Sequence, residues 1–439
     1  MAFFWEDYPD MQELDGNRFL TFNIAVRVNQ IEAGRDQDLG VDETAFHTPE
    51  AVRKLRDAFE RGMPGGKVTW ALSHQAFEDP RDNYKAIREI ILDYRDRFGD
   101  DVTLFLGGFF PNMYNSREQV NVDIHDGLAM ASAMVGGGFR PESIVAGFLA
   151  AENQRYLAEE EGVHVCQGNI WSQYAVDNGD GEGAIQYPYF PSREHFCKPA
   201  QGPADFIDCV NLDGWTCDFV SARRSGCTDH YNSRMGVGPI ETFYQDRFFP
   251  PEVGLREMLA TTAAHFDTGF SLNGFAWVTV LWETSLTLSG GDRTEYLVAW
   301  LEEMRRRWPE VVSATQGEFG LAWRRHFADN GPIDYRFVQR GTGIFGSEEN
   351  LEVRWFMNRD FRLALMRDWQ AGGPEEIFDF TRYDLPAEEP QDLSRNWSLM
   401  NRINQKGTRP QDVPTPMSAL DDDDRALILR RYPELEGIG

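Results

Sequence analysis

The stretch FRPESIVAGFLAAENQRYLAEEEGVHVCQGN, residues 139–169, decides the fold class. Residues 143–149 form a short apolar run with the length of a buried strand, and residues 154–161 have the mixed composition of a surface helix that Gly162 ends. Strand-like sequence resumes at Val163. A strand, a helix and a second strand in this order predict one unit of a parallel α/β sheet.

The same alternation of apolar strand-like runs and amphipathic helix-like runs covers the first two thirds of the chain. The predicted strands are residues 19–28, 68–73, 102–109, 143–149, 163–170, 206–212, 235–240 and 274–282. The predicted helices are residues 49–61, 84–98, 120–135, 254–267 and 296–307. With this many units, closure into a (β/α) barrel is more economical than an open sheet, although an open sheet is not excluded.

The composition of the sequence changes near Gly331, after which short runs are rich in aromatic and branched residues. These runs predict strands at residues 334–338, 351–357, 361–366 and 377–383. We therefore predict three parts in the chain: a barrel at residues 1–330, a small β-rich domain at 331–385 and a C-terminal tail at 386–439 packed on the surface.

Composition limits the partners that the protein can have. Hydrophobic content of 41% and aromatic content of 13% indicate a folded protein, and aromatic rings stack well on the faces of sugar rings. The formal net charge of −28 repels phosphate backbones and anionic lipid surfaces. A carbohydrate substrate fits this composition, and neither nucleic acid nor a membrane is expected as a partner.

The cysteines and the start of the chain bear on the compartment. Five cysteines without C-x-x-C spacing do not indicate a disulfide framework. The start MAFFWEDYPDM has no basic region, and no run of about 18 apolar residues occurs. A soluble protein without a signal peptide, in a reducing cytoplasm, is the expectation.

Two matches connect the chain to a known barrel family. Thr21-Phe22 lies in the first predicted strand, and Arg140-Pro141 opens the strand at residues 143–149. The order TFNIAV, VTWALS, VTLFLGG, GFRPE and EEGVHV resembles the polysaccharide-deacetylase barrel, in which a Thr-Phe-Asp-Asp motif and an Arg-Pro pair occupy these places. Asn23 and Ile24 stand where that family has its two aspartates, and GGFFPNMYN carries no histidine where it has two. The metal-binding triad of that family is therefore expected to be absent.

A second resemblance concerns the run from Gly147 to Glu152. It is similar to the end of a middle strand in glycoside hydrolases related to amylases and branching enzymes, where a catalytic glutamate precedes a helix. The whole chain also resembles a group of bacterial proteins of unknown substrate, described as candidate glycoside hydrolases or deacetylases. These resemblances imply an α/β fold, a distorted seven-stranded (β/α) barrel of glycoside hydrolase/deacetylase type with a C-terminal β domain.

Carboxylates after several strands are the candidate catalytic groups. Cleavage of a glycosidic bond needs two carboxyl groups, and the loops at the carboxyl ends of barrel strands hold the chemistry. Glu152 and Asp213 rank first, and Glu283 and Glu241 follow. For each of them, a helix cap or a surface carboxylate is the alternative interpretation.

Other residues are candidates for binding the substrate. They are Asn153, Trp171, Trp215, Trp282, His74, His125 and Glu318, the last in a turn flanked by glycines. The loop at residues 171–196 is too long and too aromatic for a simple connector and is expected to shape the pocket. Its DNGDGEG piece lacks the alternating carboxylates of a calcium loop.

No metal and no cofactor are expected. Asp123, His125 and Asp126 would form a metal site only if the fold added another ligand, and neither a Gly-x-Gly-x-x-Gly turn nor a P-loop occurs. The sequence predicts a glycoside hydrolase that acts on an oligo- or polysaccharide through a carboxylate pair at the barrel mouth. A metal-dependent deacetylase, a sugar isomerase or lyase, and a non-catalytic carbohydrate-binding barrel remain open, as does a homo-oligomer.

Overall fold

The computed structural model describes most of the chain. It covers residues 11–32, 38–107, 111–147, 149–168, 183–214, 250–288, 294–342, 348–393, 397–399, 403 and 411–438. The predicted strand at residues 235–240 lies outside the described residues. No helix in the described ranges has the length and apolar character needed to cross a membrane.

The strands fall into three sheets. In chain order they are β1 Arg18–Val26, β2 Asn29–Glu32, β3 Asp38–Asp42, β4 Thr69–Leu72, β5 Asp101–Phe105, β6 Ile144–Val145, β7 Val165–Gln167, β8 Val210–Asn211, β9 Ala276–Glu283, β10 Val312–Ala314, β11 Asp334–Arg340, β12 Leu351–Asn358, β13 Phe361–Asp368, β14 Glu376–Arg382 and β15 Gln411–Thr415. Eight of them form one sheet in which every pairing is parallel.

Seven strands follow the order β9, β1, β4, β5, β6, β7, β8, and β10 is an addition to this path. Strand β9 pairs with β1 along residues 18–25, so β10 and β4 share the other edge of β1. Beyond β8, a Cβ on Gly214 would lie 2.8 Å from Thr279 Cγ2 and 2.9 Å from Trp277 Cζ3 of β9. The sheet therefore curls until its two ends approach, and the predicted fold class is confirmed.

Strand β1 shows why the sheet is buried on both faces. Its alternate residues Leu20, Phe22 and Ile24 pack in the core cluster that includes the surrounding helices. Phe19 and Ala25, on the other face, belong to the cluster inside the curl. A parallel sheet covered on both faces requires such a nearly continuous apolar run, and this run is what made β1 predictable.

Helices alternate with the strands along the chain, and several of them, such as Pro49–Gly62 and Asp82–Phe98, pack on the outer face of the parallel sheet. They are Pro49–Gly62, His74–Glu78, Asp82–Phe98, Pro111–Tyr114, Arg117–Val135, Ala151–Glu159, Pro251–Ala263, Phe270–Asn273, Thr294–Arg307, Gln316–His326 and Asp422–Arg431, with a π-helical segment Ala264–Gly269 and short 3₁₀ turns Thr284–Leu286, Met417–Ala419 and Pro433–Leu435. Hydroxyl side chains begin several of them: Thr48 accepts from the Ala51 N–H, and Ser116 accepts from the Gln119 N–H.

Three predictions of local structure need correction. The runs at residues 143–149 and 206–212 pair over only two residues each, in β6 and β8. The Gly-flanked turn predicted at Glu318 is wrong, because Glu318 lies in the first turn of the helix Gln316–His326. Its Thr315 and Glu318 form a reciprocal capping box, which satisfies the backbone N–H groups that a helix start leaves free.

The C-terminal strands β11 to β15 form one antiparallel sheet in sequence order. Tyr335 and Phe337 of β11 pack on Tyr187 with ring centroids 5.0 and 4.9 Å apart, which joins this sheet to the inside of the curl. The helix Asp422–Arg431 contributes Ile428 to a separate apolar cluster with Phe361. Residues 386–439, predicted as a surface tail, include the edge strand β15 and this helix.

Candidate active site

Arg27, one residue beyond β1, is the centre of a buried group of charges. Its Nε donates to Glu43 Oε2 at 2.6 Å, and its Nη2 donates to Glu43 Oε1 at 2.9 Å and to Glu283 Oε2 at 3.1 Å. Glu283 is the last residue of β9, and it stands in register with Ala25 of β1. The contact therefore lies at the carboxyl ends of two paired strands, where barrel enzymes carry their chemistry.

The shared guanidinium fixes how far apart the two carboxylates are. Because Nη2 of Arg27 donates to both, the accepting oxygens of Glu43 and Glu283 lie no more than about 6 Å apart, near the separations of catalytic carboxylate pairs. Burial opposes the charge of Arg27, but Glu283, Glu43 and Glu32 outweigh burial and raise the pKa of Arg27. An arginine that stays charged favours the ionised form of a carboxyl group beside it.

Glu32, at the end of β2, is a third carboxylate in this region. Its Oε1 accepts from the Val28 N–H at 2.7 Å and from the Ser73 hydroxyl at 2.8 Å. Burial raises the pKa of Glu32 even though these donors act in the opposite direction. Two different carboxyl groups therefore lie near Arg27: Glu283 accepts a hydrogen bond from it, and Glu32 has a raised pKa.

His47 and Tyr84 hold this group in place. His47 Nε2 lies 3.4 Å from the Arg27 backbone N–H, which donates to it, and Nδ1 lies 3.2 Å from the carbonyl oxygen of Glu43. The Tyr84 hydroxyl donates to the Arg27 carbonyl oxygen at 2.9 Å. Burial lowers the pKa of His47 to about 4, so the imidazole is neutral near pH 7 and adds no positive charge to the site.

Glu152 lies in the first turn of the helix Ala151–Glu159 and is exposed. Its Oε2 is 3.6 Å from Nε of Arg117, whose Nη2 donates to Glu389 at 3.0 Å. The neighbouring Asn153 is buried and donates to the Arg117 carbonyl oxygen at 2.8 Å. Glu152 and Asn153 thus both contact Arg117, in the helix Arg117–Val135, and neither of these contacts involves Arg27.

Asp213 lies two residues beyond β8 and is buried. Burial chiefly raises the pKa of Tyr189, and the charges of Cys197 and Asp213 act in the same direction, so Asp213 is close to this phenol. Trp282 packs in the outer core and its Nε1 donates to the Thr287 hydroxyl at 3.0 Å. Trp171, Trp215 and Glu241 lie outside the described residues.

His74, His125 and Glu318, which were predicted to bind the substrate, make hydrogen bonds with residues other than Arg27 and Glu283. His74 is buried, with Nε2 2.6 Å from the Asp123 carbonyl oxygen, and the exposed His125 has Nδ1 2.8 Å from Glu161 Oε1. Glu318 contacts Lys67 Nζ at 2.5 Å. Residues at the amino ends of β1, β5 and β10 line the same cavity as Glu318, so Glu318 is at the opposite end of the sheet from Glu283.

Asn23, which stands where the deacetylase family has an aspartate, is hydrogen-bonded to two other side-chain amides. Asn23 Nδ2 donates to Gln167 Oε1 at 2.9 Å and to Gln316 Oε1 at 2.7 Å. A divalent metal in a hydrolase prefers imidazole and carboxylate ligands, which this set lacks. Across the described part of the chain, no three His, Cys, Asp or Glu side chains are grouped so as to hold a metal ion. The residues at Asn23 therefore do not fit the metal of the deacetylase family.

Sequence reasoning did not find Arg27, Glu32, Glu43 or His47. One signal was present, since Arg27 interrupts an apolar run directly after a buried strand. A fully buried arginine is rare unless it is paired, so a charge in that place predicts a carboxylate partner without identifying it.

Comparison with known proteins identifies the family. The model of DUF3863, a domain of unknown function with a solved structure, matches residues 12–357. The chain belongs to the DUF3863 family. A second domain of unknown function, DUF3864, matches residues 362–435, which include strands β14 and β15 of the C-terminal sheet.

A solved structure supports this assignment over nearly the whole chain. A candidate glycoside hydrolase/deacetylase from Parabacteroides distasonis is 47% identical, with a TM-score of 0.88 over 96% of this chain and 99% of that chain. The similarity in fold therefore extends over nearly the whole of both chains.

Two further neighbours are much less similar. A candidate polysaccharide deacetylase from Pseudomonas aeruginosa PAO1 is 14% identical, with a TM-score of 0.44 over 70% of this chain and 91% of that chain. PuuE allantoinase is 12% identical, with a TM-score of 0.44 over 73% of this chain and 95% of that chain. Among curated proteins, none matches the DUF3863 protein.

Proposed function

We propose that this protein is an enzyme that hydrolyses a carbohydrate, and that it is a glycoside hydrolase in which Glu283 is the ionised carboxylate. The observation that carries the proposal is the contact of Glu283 with Arg27 at the carboxyl ends of β9 and β1. The neighbour from Parabacteroides distasonis, described as a candidate glycoside hydrolase/deacetylase, supports the class of enzyme.

The chemistry requires two carboxyl groups with different protonation. The ionised one attacks the anomeric carbon or activates water, and the protonated one gives its proton to the leaving oxygen. The hydrogen bond from Arg27 suits Glu283 to the first role, because a guanidinium group stabilises a carboxylate beside it. Glu32 suits the second, because burial raises its pKa. Asp213, Glu241 and Glu152 are the other proposed acids, in places that the sequence indicates.

Substrate binding is proposed for residues around the same end of the barrel. Trp171 and Trp215 follow β7 and β8 in the sequence, where a ring can stack on a sugar face. Deacetylation is the competing reaction within the same class. It would release acetate instead of a reducing sugar, so the two reactions are distinguished by their products.

The test is an assay of the purified protein on oligosaccharides, acetylated oligosaccharides and aryl glycosides. We expect a new reducing end, and we expect Glu283→Gln to lower kcat at least about 100-fold. Glu295→Gln, at an exposed carboxylate that pairs with Arg61 at 2.7 Å, is the matched control and should retain full activity. Thermal unfolding of both variants checks that each remains folded.

A chemical rescue separates a catalytic role from a structural one. In Glu283→Ala, added azide should restore the rate with an activated aryl glycoside if the side chain attacks or directs attack at the anomeric carbon. A purely structural glutamate would show no such rescue. Acetate release without a reducing end, or unchanged activity in Glu283→Gln, would overturn the proposal.

A further inference from the structure

A cavity of about 820 Å³ lies at the amino ends of the sheet strands. Phe19 of β1, Asp101 of β5 and Ser313 of β10 contribute to its walls, with Phe139 and Glu142 from the segment before β6. Strands β1 and β9 reach their carboxyl ends at Arg27 and Glu283, so this cavity is on the other side of the sheet from the candidate active site. Its volume is in the range of sites for small organic ligands.

Most charged groups of the cavity have a partner. Lys67 contacts Glu318, Arg140 Nη2 lies 3.0 Å from the Glu161 carbonyl oxygen, and the Arg95 guanidinium lies 5.0 Å from the ring centre of Phe139. Lys67, Arg140 and Arg95 therefore each have a partner within the protein.

Asp101 differs from these groups. Its Oδ2 is buried and has no hydrogen-bond partner among the described residues. Burial, with Glu142 and Glu318, raises the pKa of Asp101 to about 7, although the Val102 N–H and Arg95 act in the opposite direction. An acceptor that is buried without a donor costs free energy, which a ligand can recover by supplying the donor.

The position of Glu142 adds to this arrangement. A Cβ on Gly317 would lie 2.8 Å from Glu142 Oε2, so the Glu142 carboxylate packs against the first turn of the helix Gln316–His326. Asp101 and Glu142 thus line one cavity together, with the rings of Phe19 and Phe139 also in its walls. Carboxylates beside aromatic rings are the combination that recognises organic cations.

We propose that this cavity binds a small organic cation, whose ammonium or guanidinium group pairs with the Asp101 carboxylate while its apolar part contacts the phenylalanine rings. The cation supplies both the charge and the hydrogen-bond donor that Asp101 Oδ2 lacks. The groups that face Asp101 from the surrounding elements are Lys67, Arg95, Asp100, Arg140, Glu142 and Glu318. Asp100 is itself paired with Arg56 at 2.9 Å and does not compete for the ligand.

Titration of the full-length protein with 1,5-diaminopentane and with agmatine, followed by calorimetry, tests the proposal. The neutral counterpart 1,5-pentanediol should not bind. Affinity for the amines should rise from pH 6 to pH 8 as Asp101 ionises. Asp101→Asn should weaken binding about tenfold or more, the usual effect of losing a charged hydrogen bond.

The controls keep this test independent of the proposed hydrolase. Glu295→Gln, at an exposed carboxylate outside the cavity, should bind the amines as the wild type does. If Asp101→Asn does not fold, Glu142→Gln should still weaken amine binding, because Glu142 lines the same cavity. Equal binding of diamine and diol, or full amine binding by either cavity variant, would overturn the proposal. Neither result would bear on Glu283, which is at the other end of the sheet.

Discussion

Arg27 Nη2 donates to Glu283 Oε2 across 3.1 Å, and this contact joins the carboxyl ends of strands β1 and β9. The same guanidinium also binds Glu43 through two hydrogen bonds. All three side chains are largely buried, with exposures of 2% for Arg27, 11% for Glu43 and 7% for Glu283, so the charges compensate one another where little solvent screens them. The residue proposed for chemistry is therefore held by a group that also supports the fold.

Replacement of Arg27 tests that second role. Arg27→Met leaves Glu43 and Glu283 without their buried cation, and we expect the free energy of unfolding to fall by about 3–5 kcal/mol. Urea denaturation followed by circular dichroism measures it. Arg61→Met is the control, since Arg61 pairs with Glu295 in solvent and should cost less than about 1 kcal/mol. Equal small losses in both variants would contradict the buried network.

His47 should make the protein sensitive to acid. Burial lowers the pKa of His47 to about 4 in the folded state, below the value of about 6.5 in the unfolded chain. The unfolded state therefore binds more protons between these pH values. The contribution of His47 is complete above pH 6.5 or so and decreases as the pH falls toward 4, by up to about 3 kcal/mol.

The His47→Gln variant isolates the contribution of His47 to the free energy of unfolding. We expect the difference in free energy of unfolding between wild type and His47→Gln to decrease from pH 7 to pH 4. A difference that stays constant with pH would mean that His47 has the same pKa in the folded and unfolded states, and it would contradict the prediction.

Asp101 should give the opposite dependence on pH. Its pKa is raised to about 7 in the folded state, so the folded protein binds the additional proton. The contribution of Asp101 is complete below about pH 4 and is lost as the pH rises through 7. We expect Asp101→Asn to be more stable than wild type at pH 8, by about 1 kcal/mol or more, and this advantage to disappear near pH 4. A variant that is less stable than wild type at pH 8 would contradict this prediction.

Gly320 is required by the packing of the helix Gln316–His326 on β7. A Cβ at this position would lie 2.3 Å from Val165 Cγ1 and 3.0 Å from its Cβ. Alanine favours a helix, but the clash should dominate, and Gly320→Ala should lower the free energy of unfolding by about 1–3 kcal/mol. Gly202→Ala, where no atom lies within 4 Å of the new Cβ, should change stability little. A stable Gly320→Ala would show that helix and strand are able to separate locally.

The elements with strong local patterns were predictable. The helix predicted at residues 49–61 is Pro49–Gly62, and the strand predicted at 274–282 is β9. The hairpin of β2 and β3 was missed, because Asn29–Glu32 and Asp38–Asp42 are too polar to show the alternation of a strand. Pairing with a neighbour, and not local composition, makes these residues strands.

The helix at Glu318 was missed for a different reason. Gly317 and Gly320 predicted a turn, although the T-x-x-E spacing of Thr315 and Glu318 indicated a helix start. In the structure the two glycines provide room for Glu142 and Val165, which are distant in the sequence. A glycine that serves close packing cannot be distinguished from a turn glycine without the partner.

The sequence by itself determined the alternation of strands and helices and the position of Glu283 at the end of a strand. These features depend on hydrophobic periodicity and on hydrogen bonds between residues a few positions apart, which local sequence encodes. Only the tertiary structure decided that Arg27 meets Glu283, 256 positions away, and that Glu318 lies at the opposite end of the sheet. Such contacts follow from the register and curl of the parallel sheet, and every strand contributes to these at once.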